Sequence, residues 1–143
     1  MKKKTELVSR GLIIQEGKIL VCRDKMNKNY FLPGGHVEFR EFSSDALSRE
    51  LKEELFLEAK EMSFIGVAEN MYSVRGSSYH EINFVYRVEH NGLGFSSKEE
   101  HIEFSFFTAE EFKESDVRPV ELKKAVLCWL KEGQFFHVKT IDQ

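Results

Sequence analysis

The chain has 143 residues, 41% of them hydrophobic and 31% charged, with a formal net charge of −3 at pH 7. That length fits one domain, residues 1–143, with room for a sizeable apolar core. The slightly acidic balance gives no electrostatic footprint for a nucleic-acid duplex. The start does not suit export or membrane insertion either. Arg10 breaks the apolar run behind Lys2, Lys3 and Lys4, and Leu7-Val8 and Leu12-Ile13-Ile14 are too short to span a bilayer. Cys22 and Cys128 lack C-x-x-C spacing and read as buried thiols of a reducing, cytoplasmic compartment.

Two apolar, β-branched runs, Leu7 to Gln15 and Lys18 to Arg23, meet at Glu16-Gly17 and predict a hairpin. Arg23 ends the second run beside a polar loop, Asp24 to Asn29, where it either reaches a phosphate or rests on the surface. Tyr30 and Phe31, which either pack in the core, the favoured reading, or flank a nucleobase, lead into Leu32-Pro33-Gly34-Gly35. Two glycines in that turn can take backbone angles closed to other residues and let a ligand approach the main chain. A helix follows. Ser43 or Ser44 is the expected N-cap, Asp45 suits the first turn, and Ala46 to Leu55 contains no breaker.

At about 100° per residue, Leu47, Leu51 and Leu55 fall on one stripe and should face the core. Glu50, Glu53 and Glu54 lie beside it at i, i+3 and i+4, where like charges cost about 0.2–0.5 kcal/mol per pair. Arg49 can pair with Glu53 one turn on, but one cation does not neutralise three acids. Hard divalent ions such as Mg²⁺ take oxygen ligands of this kind, so the arc is either a metal site or an ordinary solvated acidic face.

Beyond the helix, Met62 to Val74 and Ser77 to Glu89 predict two strands around Arg75-Gly76, and Asn91-Gly92 is a turn signal after the second. Alternation puts Tyr79, Glu81, Asn83 and Val85 on one strand face and His80, Ile82, Phe84 and Tyr86 on the other. Glu81 and Asn83 are polar within a hydrophobic strand, which makes their face a pocket lining or the solvent side of a sheet. His80 reads as a core or edge histidine. A charged loop, Lys98-Glu99-Glu100-His101, precedes a strand from Ile102 to Phe107. Thr108 and Glu111 have the spacing of a capping box on a short helix. Pro119 opens a last helix to Lys131, with Leu122, Val126, Trp129 and Leu130 inward and Gly133 as its stop. The tail, Phe135 to Ile141, is apolar enough for a terminal strand or a homodimer contact.

Gly35, five residues to Glu41, seven to Arg49-Glu50-Leu51, then Glu53-Glu54 and Leu57 resembles the Nudix box, G-x5-E-x7-R-E-U-x-E-E-x-G-U, at eight of nine specified positions. The resemblance implies an α+β fold, the Nudix-type α/β/α sandwich with a mixed sheet between helices. It also implies hydrolysis of a pyrophosphate bond in a nucleoside diphosphate linked to another moiety, with Mg²⁺ or Mn²⁺. By position, Glu50, Glu53 and Glu54 look like the metal acids, with Glu50 the general base in some members. Arg49 would orient them, Glu41 would fix the loop, and the Gly34 carbonyl would be a main-chain ligand. Relatives often place a further metal or base glutamate in the loop before the Ile102 to Phe107 strand, for which Glu100 is the first candidate and Glu99 the second. Arg23, Glu81 and Tyr72 are the expected substrate contacts; Tyr72 lies where dinucleoside polyphosphate hydrolases often carry a tyrosine. The proline common in ADP-ribose hydrolases is absent, since the prolines are Pro33 and Pro119.

Three residues depart from the family pattern. Phe56 replaces the glycine that ends the helix, so the helix is expected to end differently, for instance by running on through Glu58-Ala59-Lys60. Phe39 and Arg40 stand where proline and glycine are common, so the loop beside Glu41 is expected to be reshaped. These departures keep open an alternative, a catalytically silent Nudix-fold nucleotide-binding or regulatory module.

Overall fold

The computed structural model describes residues 1–91 and 101–141, so Gly92, Lys98, Glu99 and Glu100 lie outside the described residues. Among the described residues the chain order is β1 (Lys3–Gln15), β2 (Lys18–Asp24), β3 (Gly34–His36), α1 (Ser43–Leu55), β4 (Ala59–Val74), β5 (Ser77–His90), β6 (Ile102–Phe107), α2 (Ala109–Glu114), α3 (Val120–Glu132) and β7 (Phe136–Ile141). The strands form one mixed sheet in the order β6-β2-β1-β5-β4-β7, with β3 paired to β1.

Both hairpins close on two left-handed residues, Glu16 (φ 52°) with Gly17 (φ 77°) and Arg75 (φ 49°) with Gly76 (φ 81°). Those turns match the right-handed twist of the strands they join. The centre of the sheet is the parallel pair β1 and β5, in register from Lys3 with Ser78 to Ile13 with Val88. This long partner draws Lys3 to Glu6 into β1, which therefore starts four residues earlier than the apolar pattern suggests. The tail is a terminal strand: β7 runs parallel to β4 at the sheet edge.

Period-2 alternation divides the apolar side chains between two layers. Ile13, Leu20 and Val88 pack with Leu47, Leu51, Leu55 and Leu57 of the α1 segment. Their neighbours Leu12, Ile19, Val21, Ala68 and Val85 pack with Phe112, Leu122 and Val126 of α2 and α3. The sheet is thus sandwiched between helices, and the stripe Leu47, Leu51 and Leu55 is fully buried.

Several local expectations are corrected. The N-cap of α1 is Phe42, with no side-chain cap, and Ser43 is already helical. Ser43 is engaged elsewhere: its hydroxyl meets the Tyr86 hydroxyl at 2.6 Å, and its carbonyl accepts from Ser9 Oγ at 2.6 Å. The helix does not run past Phe56. Phe56 takes the left-handed conformation (φ 55°, ψ 26°), and the backbone N–H groups of Phe56 and Leu57 return to the Lys52 and Leu51 carbonyls. The Phe56-to-Lys52 bond is that of an αL-type end, sealed by contact between Leu57 and the Leu51 cluster. In α3, Leu122, Ala125, Val126 and Trp129 keep the i, i+3, i+4, i+7 arc, so Leu130 falls outside it and is exposed. Cys128 lies off that arc as well and is exposed, whereas Cys22 is buried, which pushes its thiol up to about 12. The Thr108 capping box forms as read, with Glu111 N–H donating to Thr108 Oγ1 at 3.1 Å.

Candidate active site

The glycine turn is held against β1. Gly34 and Gly35 pair with Arg10 and Ser9, and Gly11 N–H donates to the Pro33 carbonyl at 2.8 Å. Gly34 sits at φ 146°, and a β-carbon there would come within 1.9 Å of the Ser9 carbonyl oxygen. Only glycine fits. At Gly35 a β-carbon would lie 2.4 Å from Cδ of Glu50, so the Glu50 carboxyl rests flat on the turn. Helix and turn therefore meet through one of the box acids.

Arg49 fixes the loop between them. Its Nε and Nη2 donate to the two Glu41 oxygens at 2.8 and 3.0 Å, a bidentate pair, and Nη2 also donates to the His36 carbonyl at 3.1 Å. Nη1 donates to Glu50 at 3.0 Å and reaches Glu53 only at 3.5 Å. Glu41 also accepts from the Glu38 N–H at 3.0 Å. The Arg49 hydrogen bonds, with that backbone donor, hold the Glu41 carboxyl down at about 2, and Glu41 in turn pushes Arg49 up, so both stay charged. The sequence pairs Arg49 with Glu53; the structure spends it chiefly on Glu41 and Glu50.

Arg40 adopts φ 65°, the left-handed conformation a glycine would take there, while Phe39 is 95% exposed. Glu53 projects from the helix with 61% of its side chain exposed. Glu54 is half-buried and near enough to Cys22 to raise that thiol. Among the described residues no three acids, imidazoles or thiolates converge on one point. The donors are all carboxylate oxygens, with Glu50 cradled on a glycine and Glu53 turned outward, a set whose chemistry suits Mg²⁺ or Mn²⁺.

Of the three expected substrate contacts, the structure brings two together. Glu81 and Tyr72 line a cleft of about 380 Å³ with Arg10, Phe31, Asn70 and Arg118. Arg10 donates to the Leu32 carbonyl at 3.1 Å and to Asn83 Oδ1 at 3.3 Å, and its guanidinium lies 5.6 Å from the Phe31 ring centre. Arg10 thus links the cleft to the start of the glycine turn, against which Glu50 rests. Tyr72 stacks on Tyr79 with ring centres 5.0 Å apart, and burial followed by the Glu81 charge pushes its hydroxyl up to about 12. Arg23 is elsewhere, ion-paired to Glu103 and 5.2 Å from the Tyr30 ring centre. Tyr30 packs against the core as expected, but Phe31 lines the cleft. Sequence reasoning missed Arg10 and Asn70 as site residues; the signal was a polar residue interrupting an apolar strand.

A family model of the NUDIX domain matches residues 6–130. The chain belongs to the Nudix family. Among solved structures, this Nudix domain is similar to the ORF135 protein of E. coli, at 27% identity over 91% of this chain and 94% of that one, with a TM-score of 0.71. The MutT protein of Bacillus halodurans is 17% identical over 94% and 89% of the two chains, with a TM-score of 0.77. An ADP-ribose pyrophosphatase from Streptococcus suis is 18% identical over 96% and 98%, with a TM-score of 0.63. Among curated protein sequences none matches this Nudix chain. No helix among the described residues is long and apolar enough to cross a membrane.

Proposed function

We propose that this protein is a divalent-metal-dependent pyrophosphohydrolase acting on a nucleoside diphosphate linked to another moiety, in the cytoplasm. The observation that carries the reading is the α1 arc over the glycine turn. One arginine holds Glu41 and Glu50 in place, while Glu53 is left 61% exposed beside them. Because Arg49 is committed to Glu41 and Glu50, Glu53 stays turned to solvent, where a cation can reach it. Glu50, Glu53 and Glu54, with the Gly34 carbonyl, would hold Mg²⁺ or Mn²⁺, and Glu100 remains a further donor by resemblance. Bound there, the ion would supply neutralisation of phosphate oxygens and a water of lowered pKa.

The chain's own residues do the rest. Hydrolysis breaks one P–O bond of the anhydride; water gives its hydroxyl to phosphorus and its proton to a carboxylate, and the leaving phosphate takes the bridging oxygen. Glu50 or Glu53 is the acceptor of that proton. Glu50 is confined by Gly35 on one side and Arg49 Nη1 on the other, which restricts its rotamers and suits it to an oriented role. The cleft of Arg10, Phe31, Tyr72 and Glu81 would take the nucleoside, with Arg10 linking it to the glycine turn on which Glu50 rests. In this reading Arg23, tied to Glu103 and outside the cleft lining, has no part in holding the nucleoside.

Nucleoside triphosphates, dinucleoside polyphosphates, ADP-ribose and nucleotide sugars, each with Mg²⁺, with Mn²⁺ and with chelator, form the test panel. Metal-dependent release of phosphate or pyrophosphate from one class supports the reading. Nucleotide binding without turnover of any class would replace it with the silent binding module.

A further inference from the structure

Asn70 is 8% exposed, yet its side-chain oxygen Oδ1 is buried without a hydrogen-bond partner. Buried acceptors are costly to leave unpaired, and this one belongs to a residue that lines the cleft, where a bound ligand could bring a donor to it. Its neighbour shows the contrast. Asn83 is fully buried and satisfied at both ends, donating to the Ala68 carbonyl at 3.1 Å and accepting from Arg10 at 3.3 Å. Of these two asparagines, Asn70 is the one left open.

Glu81 stands directly opposite Asn70 in the antiparallel ladder of β4 and β5, so the two side chains share one face as closest cross-strand neighbours. Both line the cleft, with the Tyr72 and Phe31 rings supplying flat apolar surface. Two adjacent acceptors beside aromatic faces suit a planar ring with an N–H₂ group on its edge. An asparagine pairs with the adenine N6 amino group, and a carboxylate accepts from the cytosine N4 amino group.

We propose that Asn70 and Glu81 are the base-reading pair of this cleft and select a nucleobase bearing an exocyclic amino group, adenine or cytosine, over the keto bases hypoxanthine and uracil. A keto oxygen at that edge would set acceptor against acceptor and leave only the adjacent ring N–H of hypoxanthine or uracil to donate, one hydrogen where the amino group offers two. Sites built to bond a ligand N–H or O–H discriminate strongly against the analogue lacking it. The inference rests on the reading that the cleft takes a nucleoside, but not on hydrolysis.

The test is calorimetric titration of the full chain with CMP, UMP, AMP and IMP in the presence of chelator, so that neither metal nor turnover enters. At least one amino nucleotide should bind roughly 10-fold or more tightly than its keto partner. Asn70→Ala, folded by thermal melting, should lose that preference while still binding. Equal affinities within both pairs, no binding of any of the four, or an unchanged preference in the variant would each overturn the proposal. Selective binding by a protein inactive on the whole substrate panel would instead keep this inference and remove the catalytic reading.

Discussion

Glu41 and Glu50 have side chains 17% and 16% exposed in the grip of one guanidinium, whereas Glu53, on the same arc, is 61% exposed and meets that guanidinium only at 3.5 Å. The inner acids are used by the fold. Arg49 joins them to the His36 carbonyl and so ties the loop from the glycine turn to the helix. The outer acid contributes little to stability, since an exposed pair at that distance is worth about 0–1 kcal/mol. Burial thus divides glutamates that spacing groups together, and under the proposed function the outer one is left for the metal.

Removing charge from the outer half should affect chemistry and leave the fold alone. Glu53→Gln is expected to lower turnover roughly 10³-fold, the scale seen when a single aimed transition-state contact is lost, with an unchanged melting temperature. Near-normal turnover would make Glu53 part of a solvated face. Arg49→Lys cuts into the inner half, because a lysine cannot supply the bidentate fork. It should lower turnover about 10–100-fold and also lower the melting temperature. A loss of activity with no loss of stability would break the division drawn here.

Acid sharpens the same comparison. Arg49 and the Glu38 N–H hold Glu41 at about 2, below its ordinary 4.5, so the folded value lies under the unfolded one. The stability this contributes is present above the unfolded value and is lost as pH falls from about 4.5 towards about 2. Denaturant unfolding across that window should show a steeper loss for the wild type than for Glu41→Gln. Parallel curves would mean that the pair is not coupled to folding. The smallest effect is expected at the helix end: Phe56→Gly relieves a left-handed β-carbon and should stabilise by about 1 kcal/mol.

The box, both hairpins, the α1 stripe and the Thr108 cap were legible because each is local, with partners within a few residues. The misread end of α1 and the Arg40 position in the loop before it have a different cause. Phe56 and Arg40 stand at glycine positions, and the natural inference is altered geometry. Both instead take the glycine-like angles, φ 55° and φ 65°. At Phe56 the buried Leu57 and the return bonds to Leu51 and Lys52 impose the turn from outside. Gly34 is the opposite case, since no neighbour could yield where a β-carbon would strike the Ser9 backbone.

The cleft was the least legible part. Arg10 takes its partners from Leu32 and Asn83, 22 and 73 residues away, and nothing local marks it as more than a break in an apolar run. Asn70 is identified by the partner it lacks, which only a packed structure reveals.

The most direct test of the central claim is Mn²⁺ titration by calorimetry of the wild type and of a Glu53→Gln, Glu54→Gln double variant, each shown to be folded by thermal melting. The account predicts saturable binding in the wild type, lost or at least ~10-fold weaker in the variant, at equal melting temperature. Equal binding by the two proteins, or none by either, would contradict it and return the acids of α1 to an ordinary charged surface.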